Sequence, residues 1–146
     1  MIQLHGSSDV QCSQHASEKA VKMPQVETSD RVDTMFRAFS DRTRLRILHL
    51  LLNGETCVGD IVESLQAPQP RVSRHLGYLK KAGLVQVRKE GLWSYYSLAP
   101  AETSFQEKLL ECLENCFSEV PEIQGDSRRA QRIRKKGGCC PAKQRR

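Results

Sequence analysis

Apolar residues recur along this chain at a helical period in its first part and at an extended period later, and the changes of period divide it into elements. Val32, Met35, Phe36 and Phe39 fall at i, i+3, i+4 and i+7, the stripe of a core-facing helix, with Ser29 or Asp30 suited to cap it. Asp41 can cap a second helix that points Leu45, Leu48 and Leu52 inward and leaves Arg42, Arg46, His49 and Asn53 wet, until Gly54 ends it. Val58, Ile61, Val62 and Leu65 repeat the spacing in a short third helix, broken at Gln66-Ala67-Pro68. Pro70 stands where a helix start tolerates proline, and Val72, Leu76 and Leu79 form the buried face of a fourth helix that stops at Gly83. The period then changes. Residues 84–88 and 92–98 are rich in Val, Tyr and Trp around Lys89-Glu90-Gly91, which predicts a β-hairpin. In a fifth helix Phe105, Leu109, Cys112, Leu113 and Cys116 share one stripe.

Residues 1–28 carry no sustained period and are expected to be a flexible arm; Pro121 and Gly125 are expected to close a domain spanning 29–120, leaving 121–146 as a basic, cysteine-containing tail. The chain is thus mainly α with one hairpin, about five helices and a two-stranded wing. Two short helices joined by a tight turn and followed by a hairpin make a winged helix-turn-helix, whose second helix enters the major groove of DNA.

The residues on that helix suit the task. Removing the buried face leaves Arg71, Arg74, His75 and Tyr78 as one outward stripe, with Gln69 and Ser73 near its start. Arginine bonds guanine O6 and N7 bidentately, glutamine pairs with adenine, and serine or a helix N-terminus holds a phosphate. Arg88 and Lys89 stand at the expected hairpin turn, where a wing meets the DNA backbone or minor groove. Taken alone, a basic helical stripe is more often a solvated face; here proline at the helix start, glycine at its end and a basic hairpin agree.

Charge and cysteine content sharpen this. The net charge is +6, but Asp126 to Arg146 holds nine Lys or Arg and one acid, so residues 1–125 sum to −2. The basic end either attracts phosphate nonspecifically or serves as a solubilising end. No apolar run reaches the ~20 residues of a membrane span, and no basic leader precedes an apolar segment, so a cytoplasmic protein is expected. Its six cysteines are then expected as reduced thiols. A thiol enzyme would place C-x-x-C beside a βαβ pattern, and neither occurs, so no enzymatic activity is expected.

The run from Asp41 to Leu98, above all VSRHLGYLKKAGLV (Val72 to Val85) and RTRLRILHLL (Arg42 to Leu51), closely resembles the ArsR/SmtB family of metal- and metalloid-responsive repressors over roughly residues 30–117. The resemblance implies a homodimer paired through its first and last helices, bound to an imperfect palindrome in double-stranded operator DNA, and released when an inducer takes cysteine or histidine ligands. Family metalloid thiolates stand in a CVCDLC-like run on helix three; the matching Cys57-Val58-Gly59-Asp60-Ile61-Val62 keeps only the first cysteine. A family zinc site uses Asp and His on the last helix, which here contains no histidine.

That last helix instead carries Cys112 and Cys116, an i, i+4 pair with Cβ atoms about 5–6 Å apart, able to chelate one soft ion. Cys139 and Cys140 can fold back to add a third sulfur. A second set joins Cys57 to Cys12, supplied by the partner's arm. Against both stands the plain reading of Cys112 and Cys116 as small buried hydrophobes. The expected inducer is As(III), or a related thiophilic metalloid such as Sb(III) or an organoarsenical; the alternative is a repressor whose thiols sense oxidants or persulfides.

Overall fold

The computed structural model describes residues 28–138 of the 146. The residues are arranged as α1 (Ser29–Phe39), α2 (Arg42–Leu52), β1 (Thr56–Cys57), α3 (Val58–Leu65), α4 (Gln69–Lys81), β2 (Val85–Glu90), β3 (Trp93–Leu98), α5 (Ser104–Cys116) and α6 (Pro121–Lys135). The expected N-terminal arm, Cys12 within it, and Cys139 and Cys140 lie outside the described residues.

The core follows the apolar pattern. Ile47 and Leu48 of α2, Ile61 of α3, and Val72, Leu76 and Leu79 of α4 are all fully buried, closed by Leu84 at the start of the hairpin, Met35 of α1 and Leu113 of α5. Each such side chain contributes roughly 1.5–3 kcal/mol of transfer free energy. Local chemistry sets the helix ends: the Asp41 carboxylate accepts the Arg44 amide at 2.9 Å, as expected for an N-cap. Gln66 turns left-handed at φ 52° to release the chain from α3 toward α4.

The hairpin forms with a different register from that expected. Its strands run through Glu90 and resume at Trp93, with Glu90 opposite Trp93, so the tip is Gly91-Leu92. Gly91 has φ +58°, which the first position of a tight two-residue turn of type II′ requires. Arg88 and Lys89 therefore lie in β2, opposite Tyr95 and Ser94, and not at the turn. A third strand joins them. β1 pairs antiparallel with β3, giving the order β1-β3-β2 and setting Cys57 opposite Tyr95.

The larger difference lies at the C-terminal end, where residues expected to form a tail instead build α6. Pro121 opens that helix, a position that needs no amide hydrogen, and Gly125 is accommodated inside it with the Arg129 guanidinium beside it. Ile123, Asp126 and Ile133 are its buried residues, packed toward α3 and α2. The stripe is hidden in the sequence because one of its inward positions is a carboxylate. Asp126 accepts two hydrogen bonds from Arg46 of α2, both 2.7 Å, and one from Arg129. The middle of the α2 face expected to be wet is accordingly covered: the Arg46 side chain is only 19% exposed and His49 is half-buried, while Arg42 and Asn53 at its ends are exposed as expected. The same two arginines cap the last carbonyls of α3, Arg129 on Ser64 at 2.6 Å and Arg46 on Leu65 at 2.9 Å. One buried carboxylate thus anchors the end of the helix that precedes the turn into α4. Among the described residues no helix is long and apolar enough to cross a membrane.

Candidate nucleic-acid interface and thiol positions

α3, its left-handed turn and α4 present the exposed row expected of a reading helix. Gln69, Arg71, Ser73, Arg74 and Tyr78 are exposed, while Val72, Leu76 and Leu79 fix the opposite side in the core. Arg71 stays close to the body of the domain, its Nη2 3.4 Å from the Thr43 hydroxyl. Tyr78 is covered on one face by the guanidinium of Arg44, 4.3 Å from its ring centroid. Arg44 was not singled out in the sequence, where it looks like one more surface charge of α2. It also donates to the Ala38 and Arg37 carbonyls, tying α1 to the reading helix.

His75 departs from the expected outward stripe. It is buried, with Nδ1 3.5 Å from Asp41 Oδ1, at the inner edge of α4. Burial pushes its pKa down; the Asp41 carboxylate opposes this, and Arg44, Arg74 and Arg71 reinforce it, so the imidazole is neutral at pH 7. Asp41 is held below the usual carboxylate range: burial raises it, but the Arg44 amide, the charges of His75 and Arg44, and the Thr43 amide together outweigh that effect. His75 is therefore placed to brace the N-cap of α2 against α4.

On the wing, Arg88 donates to Glu55 at 2.7 Å and to Glu90 at 2.6 Å and lies 4.6 Å from the Tyr95 ring centroid. Those carboxylates raise its pKa further and occupy its donors within the domain. Lys89 is exposed beside it. The tip itself offers Leu92, fully exposed, and Trp93.

The thiols occupy two places. Cys112 and Cys116 lie on the open side of α5 and are exposed, although their sequence stripe is otherwise apolar: Leu113 turns inward and the pair does not. They are hydrogen-bonded to one another, and the Cys116 side chain, by that bond and by its charge, with some help from burial, raises the pKa of Cys112. Cys57 is different. It is 2% exposed, at the end of β1 and the N-cap of α3, and is disulfide-bonded. The last described residue, Gly138, lies against Asp60 in the first turn of α3. The chain leaving α6 thus arrives at the first turn of α3. No group of three or more His, Cys, Asp or Glu side chains suited to hold a metal occurs among the described residues.

The family described as bacterial regulatory protein, arsR family, matches residues 41–87, the span from the cap of α2 into the wing. An HTH-type transcriptional regulator of Methanocaldococcus jannaschii is 50% identical over 72 residues, covering 49% of this chain and 81% of that protein. The arsenical resistance operon repressor of Escherichia coli K12 is 38% identical over 86 residues, 58% of this chain and 74% of that one. Among solved structures, the homodimeric winged helix-turn-helix DNA-binding domain of a possible ArsR-family regulator from Mycobacterium bovis superposes with a TM-score of 0.52 and 30% identity, covering 63% of this chain and 82% of that one.

Proposed function

Because the chain belongs to the ArsR family of winged helix-turn-helix transcriptional regulators, and not to a family of enzymes, we propose that it is a cytoplasmic repressor that binds double-stranded operator DNA and lets go when a thiophilic metalloid engages its cysteine thiolates. The observation that carries this reading is the exposed row Gln69, Arg71, Ser73 and Arg74, held on a helix whose other side is locked in the core and whose preceding turn is anchored by the Arg46–Asp126 pair. A base-reading helix needs that combination of polar donors and rigid placement. Lys89 on the wing and Lys80 and Lys81 at the end of α4 supply phosphate contacts.

The protein acts as a homodimer, bringing two copies of α4 to the half-sites of a palindrome. Support comes from the α1 and α5 side of the molecule. Phe36 is 56% exposed there and meets Phe105 edge-on at 5.6 Å, an aromatic pair open to solvent in the single subunit. The Mycobacterium bovis relative is homodimeric.

Trivalent arsenic, with Sb(III) or an organoarsenical as related species, is the inducer favoured by the arsenical repressor of Escherichia coli among the relatives and by a chain with six cysteines. Ligation shifts the population toward a dimer whose reading helices no longer match the operator. The test is fluorescence anisotropy on promoter DNA under reducing conditions with arsenite titrated in. Release at stoichiometric arsenite is expected, and undiminished binding would overturn the reading.

The bonded, exposed dithiol of α5 supports a second reading, a thiol redox sensor. There a peroxide oxidises the two thiols to a disulfide and is reduced to two waters. Release by peroxide and not by arsenite selects it.

A further inference from the structure

We propose that the wing tip, Leu92 with Trp93, is an apolar wedge that enters the minor groove beside the sequence read by α4, opens one base step and bends the operator. This deepens the operator-binding reading and rests on it, independently of what the thiols sense. The tip is shaped to present these side chains. Glu90 pairs with Trp93 across a two-residue turn whose first position, Gly91, is left-handed, so Leu92 occupies the apex. Leu92 is 100% exposed, and Trp93, the chain's one tryptophan, is 36% exposed. Such exposure is concentrated on the DNA side: of the four large apolar side chains open to solvent among the described residues, Tyr78, Leu92 and Trp93 lie on the reading helix or the wing, and Phe36 alone lies elsewhere.

The tip is held out stiffly from the reading helix. The Leu84 amide donates to the Leu79 carbonyl of α4 at 3.0 Å, and Leu84 and Val85 at the foot of the hairpin are buried. β3 is hydrogen-bonded on both sides, to β1 and to β2. From Val85 to Glu90 the strand extends about 17 Å, at about 3.4 Å per residue. The minor groove is about 6 Å wide, against about 4.8 Å between the two strand backbones alone, so only side chains at the apex reach its floor.

The chemistry of the apex selects how it is received there. Arg88 is held back along β2 by Glu55 and Glu90, and its charge offsets the Glu90 carboxylate opposite Trp93 that would otherwise repel phosphates. Lys89, exposed in β2, meets a phosphate at the groove edge. Leu92 carries no donor for the adenine N3 and thymine O2 acceptors on the groove floor. The surface an apolar side chain matches in the groove is the face of a base, uncovered when a step unstacks. Pyrimidine–purine steps open most easily, so the wing adds a preference for such a step beside the bases that α4 reads.

The experiment uses the full chain under reducing conditions, without arsenite, on promoter duplex labelled at both ends. Förster transfer between the labels reads the bend, and Trp93 emission reads the tip. Wild type is expected to bend the duplex by about 20–90° and to lose Trp93 emission on binding. Leu92→Ser, at a fully exposed position, keeps the fold and is expected to bind about tenfold more weakly, the scale of one apolar side chain left in water, with a smaller bend and an unchanged salt slope. Leu92→Met, which keeps an apolar apex, is expected to bind and bend as wild type does. Lys89→Ala is expected to lower the salt slope and keep the bend. Wild-type affinity and bend in Leu92→Ser, or Trp93 emission indifferent to DNA, overturns the wedge and leaves the operator reading standing. Failure of wild type to bind the promoter duplex overturns both.

Discussion

Arg46 of α2 grips Asp126 of α6 through two hydrogen bonds of 2.7 Å, and the carboxylate is 1% exposed. Eighty residues separate the partners, so this pair closes a long loop and holds the last helix on the body of the domain. Removing one member of a buried, bidentate pair leaves the other charge unpaired, which costs 3–5 kcal/mol when both are fully buried. Asp126→Ala is expected to lower the unfolding free energy by about 3 kcal/mol, the low end because Arg46 keeps some access to water. Urea denaturation measures it. Because the same arginines cap α3, operator affinity is expected to fall as well.

Acid is expected to destabilise the protein through its histidines. Burial lowers the pKa of His75, and it lowers that of His49 against the opposing pull of Asp126 and Glu114. A histidine whose folded pKa lies below its unfolded value binds its proton more tightly in the unfolded chain. Stability is therefore fully present at pH 7.5 and declines as pH falls below the unfolded value of about 6.5, by at most about 1.4 kcal/mol per pH unit for each imidazole. Asp41, with its pKa lowered, gives up its contribution only further into acid. Urea midpoints at pH 7.5 and 5.5 check this, and replacing both histidines with glutamine is expected to flatten the slope.

On DNA, two kinds of loss are expected. Arg71→Ala is expected to cost about 1–3 kcal/mol in operator binding and to relax preference at one base position, while Lys89→Ala weakens all sequences alike and lowers the salt slope by about one. Arg88→Ala is expected to change affinity little, since Glu55 and Glu90 already occupy its guanidinium. Anisotropy titrations at several salt concentrations on matched and mismatched sites separate the three.

Phe36→Lys is expected to shift the protein from dimer to monomer in sedimentation velocity and to abolish tight operator binding, because it places a charge beside Phe105 on the face open to a partner. Its unfolding free energy is expected to change little at a concentration where wild type is monomeric, since Phe36 is already exposed.

The existence of the wing, though not its turn, and the α3–α4 pair were legible in the sequence because periodicity and helix-end chemistry agreed there. Val72, Leu76 and Leu79 are buried as spaced, Asp41 caps α2 as its type suggests, and Gly83 ends α4 left-handed. α6 was not legible, because its inward stripe includes a carboxylate whose partner lies eighty residues away, and pattern reading treats every carboxylate as wet. The same limit hid His75 and Arg88. Their neighbours Asp41 and Glu55 are close only after folding, and helical spacing alone put the imidazole outside. The exposure of Cys112 and Cys116 was hidden for a third reason: they share a stripe with apolar residues, yet among the described residues none buries that edge of α5.

The two residues of β1 make the wing continuous with the start of α3. Cys57 stands opposite Tyr95, Tyr95 stacks under Arg88, and Arg88 is held to Glu55, two residues before Cys57. Strands so paired are about 4.8 Å apart and move as one ladder. A displacement of position 57 is therefore felt at the wing across a single strand width, by a route that bypasses the helical core.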